Sequence, residues 1–281
     1  MHTSAQLRCK TMYFYFALHR GQGIGVEYLP WIKIQDVPSK GRPTRLKGIK
    51  IPRQFEFLSD LERNYFYLLE YSELIVDIRE QYPLLPLEET LLIAEELGIK
   101  HPQNPQTKEP IVMTTDFLVT VSENSKRKEY ARTVKSKEEL MDERVLEKFE
   151  IEGVFWERKG VDWGIVTEEE IHKTMALNID SIWEYKELHD LEGFDLITSE
   201  QFDDLIINYI SRMLAEDLPV RALSHEFERD FDLSPGTGIS IFRYLVINRI
   251  IEVNLLEKLD MNQIIPIKAI RKDFSKKVKT I

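Results

Sequence analysis

The chain has 281 residues, a formal net charge of −10 and a hydrophobic fraction of 43%, which suits two globular domains with apolar cores. Its single cysteine, Cys9, excludes an internal disulfide and a zinc site built on several cysteines. No apolar run reaches the roughly 20 residues needed to cross a bilayer, so we expect a cytoplasmic protein with no membrane partner.

Positive charge is concentrated at the two ends of the sequence. Residues 1–53 contain ten Lys and Arg against two acidic residues, and residues 268–281 contain six against one. The residues between them therefore carry a net charge of −23. This pattern suggests ends that bind a polyanion and an acidic centre that binds a metal or a basic protein. Solvated basic tails explain the same pattern equally well.

The elements predicted for residues 1–170 alternate between helices and strands. The opening is predicted as a short amphipathic stretch to about residue 19, a flexible glycine-containing arm at 20–25 and an irregular stretch at 37–53. Hydrophobic periodicity predicts helices at 58–71, 87–98 and 137–152, and β-type runs at 74–84, 111–121, 129–136 and 161–167. This alternation predicts a mixed α/β domain over residues 1–170.

Strands largely disappear after residue 171. Helices are predicted at 199–215, 219–230 and 238–251, followed by short apolar segments. That order is typical of a winged helix-turn-helix, so residues 171–281 are predicted to form a mainly helical, winged-helix-like domain with a basic tail. The third helix offers few polar residues for reading bases. The second helix and the turn after it add acidic residues, which favour a basic protein partner: Glu226, Glu228, Asp230 and Asp232.

Three residues of the first domain suggest phosphodiester chemistry. Glu62 lies in the first turn of a predicted helix, Asp116 interrupts an apolar strand, and Lys135 lies on the next strand-like run. A carboxylate inside an apolar strand is costly unless it is paired or binds a cation. Two carboxylates and a lysine around magnesium suit hydrolysis, because the metal activates water and the lysine offsets developing negative charge.

Each of these residues also has a purely structural explanation. Ser59 and Glu62 have the spacing of a capping box, in which the glutamate serves only the start of the helix. Asp116 could accept backbone N–H groups at a strand end, and Lys135 could be an ordinary surface residue. The separation of 19 residues between Asp116 and Lys135 decides nothing by itself.

Longer stretches of the sequence carry a family resemblance. They include G-Q-G-I-G-V-E-Y-L-P-W at 21–31, L-S-D-L-E at 58–62, V-D-I-R-E-Q-Y-P-L-L-P at 76–86, T-D-F-L-V at 115–119 and D-E-R-V-L-E-K-F-E-I-E at 142–152. In this order and spacing the chain resembles the TnsA family, the endonuclease subunits of heteromeric cut-and-paste transposases. The resemblance covers most of residues 20–170 and is fainter beyond 171.

The resemblance implies a type II restriction endonuclease-like fold for the first domain and cleavage at the 5′ ends of a transposon. Glu62 and Asp116 would ligate Mg²⁺ together with the backbone carbonyl of Val134, and Lys135 would be the catalytic lysine. Position 133 is usually acidic or an amide in this superfamily and is a threonine here. The secondary candidate ligands are Thr133 and Glu152.

The resemblance also implies partners: duplex DNA at the transposon ends, a TnsB-type transposase that cuts and joins the 3′ ends, and a TnsC-type ATPase regulator. A free-standing nuclease of the same fold, which would cut naked DNA, remains an alternative. So does a catalytically inactive adaptor between transposase and regulator, which the threonine at 133 favours. The residues predicted to contact DNA are Arg42, Arg45, Lys47, Lys50 and Arg53.

Overall fold

A computed structural model of the chain describes residues 10–36, 41–188, 194 and 198–278. The chain separates into two compact units between Ile171 and His172. No helix within the described ranges is long and apolar enough to cross a membrane. The helices of the first unit are α1 Lys10–Ala17, α2 Asp60–Tyr71, α3 Leu87–Leu97 and α4 Glu143–Arg158. Its strands are β1 Thr44–Lys47, β2 Gln54–Phe57, β3 Ile75–Pro83, β4 Thr114–Glu123, β5 Lys126–Val134 and β6 Asp162–Val166.

The first unit is built around a mixed sheet with the strand order β3-β4-β5-β6. Strands β3, β4 and β5 are antiparallel neighbours, and β6 runs parallel to β5. On one face, Phe66 of α2 packs against Phe57 with ring centroids 4.7 Å apart. On the other face, Leu118 of β4 belongs to a buried cluster with Ile93 of α3 and Ile151 of α4. The predicted mixed α/β architecture is therefore confirmed.

The outer edge of β3 is covered by residues that precede it in the chain. The Lys50 ammonium donates to the Ile75 carbonyl at 2.9 Å, and the Arg53 guanidinium donates to the Ile78 carbonyl at 2.9 Å. Further along β3, the Tyr28 hydroxyl donates to the Glu80 carbonyl at 3.0 Å, and the Trp31 backbone N–H donates to the Gln81 carbonyl at 3.2 Å. Because buried carbonyls need donors, these residues take the place that a further strand would otherwise fill.

Two predictions for the N-terminal residues are wrong. The stretch at 20–25 is anchored at both ends and is not a free arm: Arg20 is buried, a Cβ on Gly21 would lie 2.4 Å from Pro83 Cγ, and the Gly25 N–H donates to Asp77 at 3.2 Å, although Ile24 between them is exposed. The stretch predicted as irregular contains β1, which forms an antiparallel hairpin with β2. The short strand was missed because prolines and glycines on both sides of it hide the alternation. The part of that stretch at 37–40 lies outside the described residues, as do residues 1–9 and 279–281 of the basic ends.

The second unit contains the predicted helices and two that were not predicted. Its elements are α5 Lys173–Ile182, α6 Ser199–Ala215, α7 Val220–Asp230, α8 Thr237–Ile247, β7 Ile251–Glu252, β8 Ala269–Ile270 and α9 Lys272–Val278. Helices α7 and α8 approach closely, since a Cβ on Gly238 would lie 2.7 Å from Ser224 Cβ. Strands β7 and β8 pair antiparallel after α8. The predicted basic tail therefore contains a strand and a helix.

The acidic, apolar-rich surface predicted for this unit is smaller than expected. Glu228 is buried, and its Oε1 accepts the backbone N–H groups of Gly236 and Gly238 at 2.9 Å each, at the start of α8. The negative charge of Glu228 therefore stabilises the helix N-terminus and is not displayed to a partner. Phe242 and Leu245 of α8 are fully buried and belong to the core. The sequence showed their apolar character but not their neighbours.

Candidate active site

Glu62 is held at the N-terminus of α2 by a local hydrogen-bond arrangement. Ser59 is the N-cap residue, and its hydroxyl accepts the backbone N–H of Glu62 at 3.1 Å. The Glu62 carboxylate accepts the Ser59 hydroxyl on Oε1 at 2.8 Å and the Leu58 backbone N–H on Oε2 at 3.1 Å. The Ser59 half of the predicted capping box is therefore present, whereas the Glu62 carboxylate bonds the Leu58 N–H and the Ser59 hydroxyl in place of the Ser59 backbone N–H. Each oxygen still has lone-pair capacity left for another partner.

Asp116 lies near the start of β4. In the antiparallel pairing with β3, Glu80 faces Phe117 and Tyr82 faces Thr115, so Gln81 lies opposite Asp116. Its Oδ2 accepts the backbone N–H of Val134 at 2.8 Å, and its Oδ1 accepts the Gln81 side-chain amide at 3.0 Å. The strand-end role considered from the sequence is therefore present. As in Glu62, one donor on each oxygen fixes the carboxylate without saturating it.

The two carboxylates influence each other electrostatically. Burial, reinforced by the negative charge of Asp116, raises the pKa of Glu62 to about 8. Burial also raises the pKa of Asp116. The positive charge of Lys135 opposes both increases. The fold therefore brings together the three residues that the sequence suggested, in surroundings where a further positive charge would favour both ionised carboxylates.

Lys135 directly follows β5, and its backbone N–H extends the pairing with β6 by donating to the Val166 carbonyl at 2.9 Å. The Lys135 ammonium lies 3.1 Å from Oε1 of Glu139, and both side chains are partly exposed. An exposed ion pair of this kind contributes about 1 kcal/mol or less, so Lys135 can exchange Glu139 for a phosphate at little cost. Glu139 was missed from the sequence, where only its i,i+4 spacing from Lys135 hinted at a contact.

Thr133 and Glu152 are joined to each other in a buried cluster. The Thr133 hydroxyl donates to Glu152 Oε1 at 2.5 Å and accepts the Trp163 indole N–H at 3.2 Å. Thr115 likewise bonds the same oxygen at 2.5 Å and accepts from Trp156 at 2.7 Å. Burial raises the pKa of Glu152 to about 7. The Thr133 hydroxyl is therefore committed to Glu152 and not offered to the Glu62–Asp116 pair.

Two of the residues predicted to contact DNA have structural roles. Arg53 is buried and forms a two-pronged ion pair with Glu80, with Nη1 lying 2.8 Å from Oε1. The Lys50 ammonium donates to the backbone carbonyls of Ser72 and Ile75. Both positive charges help to hold the edge of β3; because Arg53 is buried and Lys50 is exposed, a DNA contact stays a prediction for Lys50 and is not proposed for Arg53. The sequence showed the charges but not partners more than 20 residues away.

The remaining predicted DNA contacts lie on or beside β1. The side chains of Arg42, Arg45 and Lys47 are exposed. Arg45 lies 3.5 Å from Glu56 and 3.4 Å from Gln35, both long contacts at a solvent-exposed position. Their exposure keeps these three side chains candidates for contact with a phosphate backbone.

Comparison with known proteins identifies the family. Residues 72–168 match the family described as TnsA-like endonuclease N terminal, and residues 170–255 match TnsA endonuclease C terminal. The chain is also 36% identical over 251 residues to the Transposon Tn7 transposition protein TnsA of Escherichia coli, covering 87% of this chain and 85% of that protein. The chain belongs to the TnsA endonuclease family. In this TnsA-family chain, Asp116 and Lys135 lie inside the matched N-terminal region, whereas Glu62 precedes it.

The TnsA family is one of DNA endonucleases, which raises the question of a divalent cation. Within the described residues, no group of three or more His, Cys, Asp or Glu side chains is arranged to hold a metal ion. A hard cation such as magnesium needs fewer protein ligands than such a group provides, because it keeps several waters and binds through one or two carboxylates plus substrate phosphates. Glu62 and Asp116, with unused lone pairs and raised pKa values, fit that requirement.

The raised pKa values predict a specific dependence of stability on pH. A carboxyl whose pKa is higher in the folded protein favours folding while it is protonated, and that contribution is lost as pH rises towards the folded pKa. For Glu62, the loss should extend from about pH 4.5 to about 8 in the metal-free protein. We expect the melting temperature in EDTA to fall over this range, less steeply in Glu62→Gln, and the fall to be reduced by millimolar Mg²⁺.

Glu62→Gln also separates the cap from the proposed catalytic role. Glutamine retains most of the capping contacts, so at pH 4.5, where Glu62 is still protonated in the folded protein, the free energy of unfolding should change by less than about 1 kcal/mol. DNA cleavage should be lost, because the neutral amide of glutamine lacks the negative charge with which a carboxylate binds Mg²⁺. A large loss of stability with cleavage retained would show that Glu62 serves only the helix.

Proposed function

We propose that this TnsA-family endonuclease is the magnesium-dependent subunit of a transposase and cuts the 5′ ends of its transposon. The observation that supports this most strongly is the convergence of Glu62, Asp116 and Lys135 at one end of the central sheet. The similar Escherichia coli protein is named as a transposition protein, which supports the same role. The mixed sheet of this chain, with its flanking helices, also suits a type II restriction endonuclease-like fold.

In this proposal Glu62 and Asp116 hold Mg²⁺, with the Val134 backbone carbonyl as a further ligand. The bound cation supplies Lewis-acid stabilisation of the scissile phosphate and makes a water molecule more acidic. Lys135 places its ammonium beside the phosphate and offsets the negative charge that develops there. In this proposal Glu152 and Thr133 hold each other through their buried hydrogen bond and do not ligate the cation.

The threonine at 133, which favoured an inactive adaptor, has a structural explanation. Its hydroxyl completes the buried cluster with Glu152 and Trp163. The substitution therefore removes neither of the proposed carboxylate ligands nor the lysine, and we favour an active enzyme.

We further propose that the second unit is a winged-helix domain used mainly for protein contacts. Two polar residues that could read bases, Arg243 of α8 and Asn248 at its C-terminal end, are engaged: Arg243 donates to the Tyr185 hydroxyl, and Asn248 accepts the Lys186 ammonium at 2.6 Å. The partners proposed are a TnsB-type transposase, a TnsC-type ATPase regulator and duplex DNA at the transposon ends. Because the substrate is DNA, we place the protein in the cytoplasm.

The test is a strand-specific cleavage assay on transposon-end DNA, with the 5′ and 3′ strands labelled separately. The reaction contains this protein, the transposase, the regulator and Mg²⁺. We expect 5′-strand cuts only when all components are present. Cutting of naked DNA without partners would support the free-standing nuclease. Failure to cut with every component present, while 3′ cleavage by the transposase requires this chain, would support the adaptor.

The DNA contact of the first unit is tested by its exposed basic residues. We expect the combined change Arg42→Gln, Arg45→Gln and Lys47→Gln to weaken DNA binding and to reduce the slope of log affinity against log salt by up to about three. A matched control is Lys126→Gln, Arg127→Gln and Lys128→Gln on the exposed start of β5, which should leave the slope nearly unchanged. An equal effect of the two triple variants would mean that binding follows overall charge and not this site.

A further inference from the structure

Gln81 has a backbone conformation that is unusual for its residue type and location. It lies within β3 and is buried, yet its φ angle is 48°, in the left-handed region that favours glycine. Such a conformation is strained and persists where surrounding contacts enforce it, often next to a functional site. Here the Gln81 carbonyl accepts the Trp31 backbone N–H at 3.2 Å, which helps to hold the strained residue.

The Gln81 side chain links Thr114 to Asp116 through two hydrogen bonds. The Thr114 hydroxyl donates to Gln81 Oε1 at 3.1 Å, so the amide nitrogen is turned the other way. That nitrogen donates to Asp116 Oδ1 at 3.0 Å. An ionised carboxylate only accepts hydrogen bonds, so Asp116 selects the nitrogen end of the Gln81 amide, and the Thr114 hydroxyl, which can donate or accept, then donates to the oxygen end. The opposite oxygen of Asp116 is held by the Val134 backbone N–H.

We infer that Gln81 is a positioning residue that orients the Asp116 carboxylate for the divalent cation. This inference rests on the proposed function and goes beyond it by assigning a role to a residue that touches neither cation nor DNA. The amide leaves Oδ1 with lone-pair capacity while it fixes the plane of the carboxylate. The left-handed backbone turns a strand residue so that its side chain reaches its neighbour on the adjacent strand. A shorter or apolar side chain would leave Asp116 free to rotate.

The inference is tested with two substitutions that separate the amide from the backbone strain. Gln81→Met keeps the length of the side chain and the strain but removes the donor. Gln81→Asn keeps an amide and tolerates the left-handed conformation, but its side chain is too short to reach Asp116. The matched control is Gln54→Met, because the exposed Gln54 amide also donates to a carboxylate, that of Glu56, at 3.1 Å.

The measurements are Mn²⁺ binding by isothermal titration calorimetry without DNA, the melting temperature in EDTA, and cleavage in the complete system. For Gln81→Met and Gln81→Asn, we expect the Mn²⁺ dissociation constant to rise about tenfold or more. Melting temperature in EDTA should be unchanged in Gln81→Met and unchanged or higher in Gln81→Asn. Cleavage by both should recover towards wild type as Mn²⁺ is raised. Gln54→Met should match wild type in all three measurements.

The possible failures are distinguishable. If wild type binds Mn²⁺, Asp116→Asn does not, and both Gln81 variants bind it as wild type does, the inference is overturned while the proposed cation site stands. A lower melting temperature with unchanged Mn²⁺ affinity would overturn it in favour of a purely structural role. If wild type and Asp116→Asn bind Mn²⁺ equally, the proposed site is wrong and the Gln81 inference falls with it.

Discussion

Asp116→Asn should abolish 5′-strand cleavage, with a loss of at least about a hundredfold in the complete system. The substitution removes one of the two carboxylates proposed to hold the cation and leaves the side-chain volume almost unchanged. Stability should not fall in parallel, because burial raises the pKa of Asp116 and so disfavours its charged form in the metal-free protein. We therefore expect the melting temperature in EDTA at pH 8 to equal or exceed that of wild type.

Asp162→Asn is the control for this experiment. Asp162 is also an aspartate in a strand, and its ion-pair partner, Arg132, is partly exposed. Asp162 begins β6, at the end of that strand away from Lys135. It should retain cleavage, with a change in stability of about 1 kcal/mol or less. If Asp116→Asn cleaves within tenfold of wild type, Asp116 does not belong to the active site.

The largest effect on stability is expected from Arg53→Met. Removing Arg53 leaves Glu80 as a buried carboxylate without its cation, a change that typically costs about 3–5 kcal/mol. Burial already raises the pKa of Glu80, and losing Arg53 would raise it further. Because a raised folded pKa favours folding only at low pH, the deficit should be larger at pH 8 than at pH 5. Urea denaturation at the two pH values measures both the loss and its sign.

Two further variants show whether the buried charge is responsible. Arg53→Met combined with Glu80→Leu removes both charges and should recover much of the stability lost in the single variant. Arg45→Met removes an arginine of β1 whose side chain is half exposed and should change the free energy of unfolding by about 1 kcal/mol or less. Equal losses for Arg45→Met and Arg53→Met would contradict the buried ion pair.

The parts of the site that were predicted from sequence are those with a local signal. Asp116 stands out as an acid within an apolar strand, and Glu62 stands out through its spacing from Ser59. Lys135 had a weaker signal, its position on the strand-like run after Asp116, and the family resemblance then implied its catalytic role. The major helices and the sheet strands also follow from hydrophobic periodicity, because each buries one regular face against the core.

The parts that were missed depend on contacts between residues far apart in sequence. Arg53 looked like a surface cation because nothing near it indicates Glu80, 27 residues later. Gln81 lies in a stretch that the family resemblance had singled out, but its geometry depends on a left-handed backbone that propensities do not predict for glutamine in a strand. Helix α5 was missed because its buried residues, such as Ala176 and Ile179, pack within the second unit in a short segment with little periodicity.

The residues that cover the edge of β3 also limit how far the chain can be shortened from its N-terminus and remain soluble. The family match begins at residue 72, which makes a truncation there attractive. Such a chain would lack Tyr28, Trp31, Lys50 and Arg53, and the carbonyls they satisfy would line an open strand edge. Open edges recruit strands from other molecules, so the truncated chain should form insoluble aggregates through β3. The N-terminal segment therefore protects the edge of the sheet that carries Asp116 from pairing with other molecules.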